Sequence, residues 1–131
     1  MSGMSALPPM QGLRHVALYV TDVDRSVAFY TGVFGMREEW RPDDDNAYLT
    51  GGSDNLAIHR GDVDPGKNLD HIGFLVPAPD DVDAWEERVR AHGHTPEAPA
   101  RTHRDGARSF YMKDPDGHTI QLLYHPPISG N

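Results

Sequence analysis

Two histidines stand at matching places in two near-copies of one stretch. Leu13-Arg14-His15-Val16-Ala17-Leu18-Tyr19-Val20 and Leu69-Asp70-His71-Ile72-Gly73-Phe74-Leu75-Val76 share the pattern Leu-x-His-apolar-small-apolar-x-Val, with the histidines 56 positions apart. Internal repetition decides a fold before any local reading does. Each copy alternates as a strand with one face on a core. Val16, Leu18 and Val20 point one way; His15, Ala17 and Tyr19 point the other. The same period-two count sets His59 opposite Leu56 and Ile58 in direction, and Gln121 opposite Ile120 and Leu122. Four side chains that can ligate a metal, His15, His59, His71 and Gln121, therefore leave their strands on the face away from the core. Imidazoles suit Fe, Mn, Co, Ni or Zn. A carboxamide oxygen ligates more weakly than a carboxylate. Three histidines and one glutamine form a neutral donor set that leaves a divalent ion uncompensated, which favours an anionic substrate offering two neighbouring oxygens. A lone strand histidine is usually structural, but a repeat-equivalent pair on one face favours ligands. His59 also reads as an ordinary edge-strand histidine before Arg60. Gln121 also reads as a polar side chain bonded within an emptied site.

The elements that must position these residues repeat in order. The first copy is a strand over 13–20, then a helix over 24–34 capped by the oxygens of Thr21-Asp22-Val23-Asp24 and stopped by Gly35. Strands follow over 36–41, 47–50 and 56–60, separated by Pro42-Asp43-Asp44-Asp45-Asn46 and Gly51-Gly52-Ser53-Asp54. The second copy is a strand over 69–76, a helix over 80–92, at best one short strand in the Pro-rich 94–104, a strand over 107–113, the turn Asp114-Pro115-Asp116-Gly117, and a strand over 118–124. The expected architecture is α+β: two tandem βαβββ modules (13–60 and 69–124) joined by a linker over 61–68. A flexible arm over 1–12 precedes them and a tail over 125–131 follows. Helices must cover the apolar sheet faces. Phe29, Phe34 and Trp85 read as helix-to-sheet core. His118 reads as a turn residue bonding backbone, and His92, His94, His103 and His125 as solvent-facing. Arg101, Arg104 and Arg108 read as a solvated strand edge or as anion-steering groups.

Bulk properties narrow the partners. A chain of 131 residues is long enough for one domain with a real core. Its net charge of −8 shows no basic patch, which argues against nucleic acid and anionic membranes. There is no cysteine, hence no disulfide, thiolate ligand or thiol nucleophile. Residues 1–11 lack the basic and apolar regions of a signal peptide, and no run reaches membrane-spanning length. A cytoplasmic protein is expected.

The repeated His segments, Ser26-Val27-Ala28-Phe29-Tyr30, Phe34-Gly35-Met36 and Asp114-Pro115-Asp116-Gly117-His118-Thr119-Ile120-Gln121-Leu122 together resemble the vicinal oxygen chelate superfamily of glyoxalases, extradiol dioxygenases, and fosfomycin- and bleomycin-resistance proteins. The resemblance runs from Leu13 to Tyr124. It implies paired modules curled into a cup-shaped sheet around a divalent transition metal, with His15, His59, His71 and Gln121 at the ligand positions. It also implies a homodimer, with modules exchanged between chains as one arrangement, acting on a small molecule. The family usually carries Glu where Gln121 stands, and glyoxalase I usually carries Glu where His59 stands. The glyoxalase proton shift uses a ligand Glu as base, so these departures argue against it. Ser109-Phe110-Tyr111, with Tyr111 ten residues before Gln121, resembles the extradiol pattern and gives Tyr111 a catalytic role as hydrogen-bond donor to substrate. The reading is a metal-dependent, dioxygenase-like enzyme. The alternative is a metal-free drug-binding protein of the bleomycin-resistance kind, using Tyr19, Trp40, Tyr48 and Tyr111 as an aromatic bowl.

Overall fold

The computed structural model describes residues 13–64 and 69–129. The arm assigned to 1–12 and part of the linker lie outside the described residues. Two βαβββ units follow one another. The first is β1 (His15–Val20), α1 (Val23–Phe34), β2 (Arg37–Asp43), β3 (Asn46–Thr50) and β4 (Asn55–Arg60). The second is β5 (Ile72–Leu75), α2 (Pro79–Ala91), β6 (Ala98–Thr102), β7 (Arg108–Lys113) and β8 (Thr119–Tyr124). Each unit forms its own four-stranded mixed sheet, in orders β1-β4-β3-β2 and β5-β8-β7-β6. The α+β class and the tandem modules are as expected. β5 is shorter than the expected strand, so His71 sits just before it. β6 forms despite Pro99 because it is an edge strand, where a missing N–H costs no ladder bond. Pro42 in edge strand β2 is its counterpart.

Local chemistry sets the helices. Asp22 caps α1 by accepting from Arg25 N at 3.0 Å, and Gly35 ends it in the left-handed region at φ 70°. Pro79 starts α2, and Asp81 accepts from Ala78 N at 3.1 Å. Leu18, Val20, Leu56 and Ile58 bury one face of the first sheet, and Ile72, Phe110, Met112, Ile120 and Leu122 one face of the second. Tyr30 and Val33 of α1 and Val82 and Val89 of α2 complete this core. No helix among the described residues is long and apolar enough to cross a membrane.

The modules are joined through α1. Phe34 stacks on Phe74 at 5.2 Å between centroids and tilts against Trp85 at 5.9 Å. Arg88 of α2 donates to the Val33 and Gly32 carbonyls at 2.8 and 3.3 Å. It thereby supplies the cation that the last turn of α1 lacks. The 114–117 turn reaches back across the modules. Asp114, with a fully buried side chain, accepts from Tyr30 Oη and His118 Nδ1, both at 2.7 Å. Asp116 Oδ1 accepts from Thr21 N, Thr21 Oγ1 and Arg25 Nη2, and Oδ2 from Ser26 Oγ. Burial and the Asp114 carboxylate push the Tyr30 phenol well above its ordinary value, so it stays a donor. His118 does bond backbone, its carbonyl accepting from Asp114 N at 3.0 Å; its backbone N–H donates to Asp114 Oδ1 at 2.8 Å, and its ring also belongs to this network.

Candidate functional site

Strand register aligns the two modules residue by residue. In the second, Gly73 pairs with Gln121 and Gln121 with Tyr111. In the first, Ala17 pairs with Ala57 and Ala57 with Tyr48. Since His15 and His71 each stand two residues before these rows, Tyr48 is the counterpart of Tyr111, and Ala57 that of Gln121. His59 pairs with Tyr19, so its counterpart is Leu123, which pairs with Leu75. The sequence placed His59 and Gln121 at equivalent ends of their modules; the register corrects this by two residues. One half-site therefore holds His71, Gln121 and Tyr111, and the other holds His15, Ala57 and Tyr48.

The ring nitrogens are committed in a consistent way. His71 Nδ1 lies 2.5 Å from Asp70 Oδ2. A carboxylate only accepts, so Nδ1 carries a proton, and in the neutral ring Nε2 keeps its lone pair. His15 Nδ1 lies 2.8 Å from Asn55 Oδ1. Asn55 Nδ2 donates to Glu39 Oε1 at 3.2 Å, which turns the amide oxygen toward His15 and again fixes the proton on Nδ1. His59 repeats the device, 2.6 Å from Asn46 Oδ1, while Asn46 Nδ2 donates to Asp43. Metal-bound histidines are characteristically held this way through the other nitrogen. Buried Gln121 donates Nε2–H to Tyr111 Oη at 3.0 Å. Its Oε1 has no hydrogen-bond partner among the described residues and looks toward Gly73, where an added Cβ would sit 4.0 Å away. Tyr111 also meets the edge of the His71 ring, centroids 5.7 Å apart.

Not all the sequence candidates come together. His71, Gln121 and Tyr111 form one cluster. His15 stands on the other sheet, and no hydrogen bond or ring contact joins it to that cluster among the described residues. Nor do any three His, Cys, Asp or Glu side chains there form a metal-holding group. His59 lies with the aromatic wall: Tyr48 meets it edge-on at 5.8 Å, and Trp40 stacks on Tyr48 at 5.2 Å and 17°. Tyr19 and Trp40 are exposed, at 64% and 60%. Arg108 points away from the rim and makes a two-point pair with Asp83 of α2 at 3.1 and 2.6 Å. This pair holds the carboxyl below its ordinary range. His94 packs on Phe29. Half-buried His103 and His125, expected in solvent, line an open cavity that also contains Tyr111 and Gln121. Each lies one residue past a strand end, His103 after β6 and His125 after β8, and only that placement could have signalled this.

Comparison with known proteins fits this geometry. Residues 12–122 match the model of the Glyoxalase/Bleomycin resistance protein/Dioxygenase superfamily. The chain belongs to this superfamily. A relative within it is the lactoylglutathione lyase GLX1 of Arabidopsis thaliana, 31% identical over 86% of this chain. The chain spans only 44% of that protein's length. The fosfomycin resistance protein FosX of Mesorhizobium japonicum is 29% identical, with 86% of this chain and 85% of that one covered. Among solved superfamily structures, a lactoylglutathione lyase from Agrobacterium tumefaciens superposes with a TM-score of 0.78 at 22% identity, covering 92% of this chain and 98% of the other. That likeness shows the shared fold. Of these two relatives, the first is named as a lyase and the second as a fosfomycin resistance protein.

Proposed function

We propose that the chain is a metal-dependent small-molecule enzyme, dioxygenase-like in the chemistry it permits, with the metal held by His15, His71 and Gln121. One observation carries this reading. Both repeat histidines have Nδ1 engaged by an acceptor and Nε2 available, and Gln121 keeps a free carboxamide oxygen beside the second. The donor set suits a first-row transition ion such as Fe, Mn, Co, Ni or Zn. Because His15 and His71 lie on different sheets, a second copy supplies the missing half in this reading, as a homodimer with modules exchanged. His59 then belongs to the substrate wall with Tyr19, Tyr48 and Trp40. The setting is the cytoplasm.

Bound there, a divalent ion supplies Lewis acidity to two neighbouring substrate oxygens. The chain's own residues do the rest. Three neutral donors leave the ionic charge uncompensated and select an anionic, bidentate substrate. Tyr111 accepts from Gln121, so its hydroxyl proton is free to bond substrate. No donor is a carboxylate, the ligand type that serves as base in the glyoxalase proton shift, which disfavours that reaction here; a histidine released from the ion is the base that would remain.

Metal analysis of the full chain purified without chelator tests the proposal. One transition ion per chain is expected, and His15→Ala and His71→Ala each abolish it. Absence of stoichiometric metal, on purification and on titration alike, overturns it. A metal-free sequestration role is the second reading, favoured by the exposed Trp40–Tyr48 stack. It requires an aromatic cationic drug to bind the metal-free protein tightly and Trp40→Ala to weaken that binding.

A further inference from the structure

The cavity that holds Gln121 and Tyr111 has a cationic side. It is an open space of about 640 Å³, also lined by Arg101, His103, Arg104 and His125. The chain carries 20 acidic against 12 basic residues, so carboxylates are in surplus. Arg25, Arg41, Arg60, Arg90 and Arg108 each take one as an ion-pair partner. The side chains of Arg101 and Arg104, like those of Arg14 and Arg37, have no ion-pair or hydrogen-bond partner among the described residues, and Arg101 and Arg104 both border the cavity. The one acid in its lining, Asp105, accepts from Ala107 N at 3.0 Å and is engaged in its own turn. His103 is held in the wall by a 2.9 Å bond between Nε2 and the Oγ of buried Ser109. Two unpaired guanidinium groups, a fixed imidazole and a phenol thus surround one space.

We propose that this cavity binds a second oxyanion of the substrate, a carboxylate or phosphoryl group, through Arg101 and Arg104. The inference rests on the metal-enzyme reading for what the group is attached to: a molecule whose vicinal oxygens reach the ion and whose charged end reaches the arginines. The planar guanidinium presents a fork of donors that matches both oxyanions in two-point contact. The His103 ring and the Tyr111 hydroxyl edge the same space and orient the group relative to Gln121. Two isolated arginines on a chain of net charge −8 suit a small anion and not a polyanion.

The test is calorimetric titration of the full-length protein as purified with inorganic phosphate and with acetate. It is repeated on Arg101→Gln/Arg104→Gln, on Arg37→Gln as a control for lost surface charge, and on His15→Ala. At least a tenfold weaker association in the double variant is expected, with little change in Arg37→Gln or His15→Ala. Tighter phosphate binding identifies a phosphoryl group, and tighter acetate binding a carboxylate. Equal affinity in wild type and double variant, or no binding of either anion to wild type, overturns the inference. Loss of anion binding in His15→Ala alone also overturns it, since the anion would then sit on the ion. Failure of the metal reading appears separately, as anion binding retained by a protein that takes up no metal.

Discussion

Replacing Asp114 with alanine should cost about 3–5 kcal/mol of folding stability, the usual loss when one partner of a buried charged network is removed. The four donors around it set that scale. Oδ2 accepts from Tyr30 Oη and His118 Nδ1, and Oδ1 from Asp116 N at 3.0 Å and His118 N at 2.8 Å. Tyr30 is fully buried, so its orphaned hydroxyl alone costs roughly 1–3 kcal/mol. Tyr30→Phe leaves Asp114 three of its four donors and should cost only about 1 kcal/mol. In urea, with a slope near 2 kcal/mol/M, the alanine variant's midpoint should fall by roughly 1.5–2.5 M. The same network gives stability a pH dependence. The hydrogen bond that His118 donates to Asp114 raises the His118 pKa against the opposing effect of burial, and the charges of Asp114 and Asp116 add to the rise. A raised imidazole contributes most when protonated. Its stabilisation is full below about pH 6.5, the ordinary histidine value, and is lost as pH rises through the higher folded value. Asp114→Ala should flatten that decline. A midpoint within about 0.5 M of wild type at unchanged slope, or an unaltered pH profile, refutes the reasoning.

Other substitutions probe separate links. Gly35→Ala forces a side chain into φ 70° and should cost about 1 kcal/mol, read as a lower thermal midpoint. Arg88→Ala removes the donors to the Val33 and Gly32 carbonyls and the contact over Trp85, 5.9 Å from the ring. It should cost roughly 1–2 kcal/mol in the same measurement. Gln121→Glu supplies the missing carboxylate and should tighten zinc or manganese binding about tenfold, a change of the size that single groups at metal sites produce. Unchanged affinity would remove Gln121 from the donor set. His59→Ala should leave metal affinity within about twofold, well short of a ligand's effect.

Parity along a strand is legible in a sequence; register between strands is not. Alternation of Val16, Leu18 and Val20 with His15, Ala17 and Tyr19 placed His15 on the face away from the core, because side chains in any strand alternate. Whether Ala57 or His59 answers Gln121 depends on where β4 slides against β1, and both choices have the same parity. The ladder decides by pairing Ala17 with Ala57. The same limit hid the modules' junction. Tyr30 and Asp114 lie 84 residues apart, and 114–117 looked like a local turn when its carboxylates also anchor α1 through Arg25, Ser26 and Tyr30. Arg108 and His103 were misplaced for a related reason: only the packed helix α2 draws Arg108 outward, and only Ser109 draws His103 in.

On the proposed metal reading, the broken symmetry divides the donors unequally between the two modules. Had both rows kept a donor at the Gln121 position, each module would present two ligands. Instead Ala57 leaves the first module with His15 alone, while the second retains His71 and Gln121. The Tyr48 row, freed of a donor, carries Trp40 stacked at its outer end and can serve as wall. A three-donor site divided two and one cannot form on either sheet by itself. It requires the face of the first sheet to meet the face of the second, whereas contacts between the modules run through α1, Phe74 and the Asp114 network.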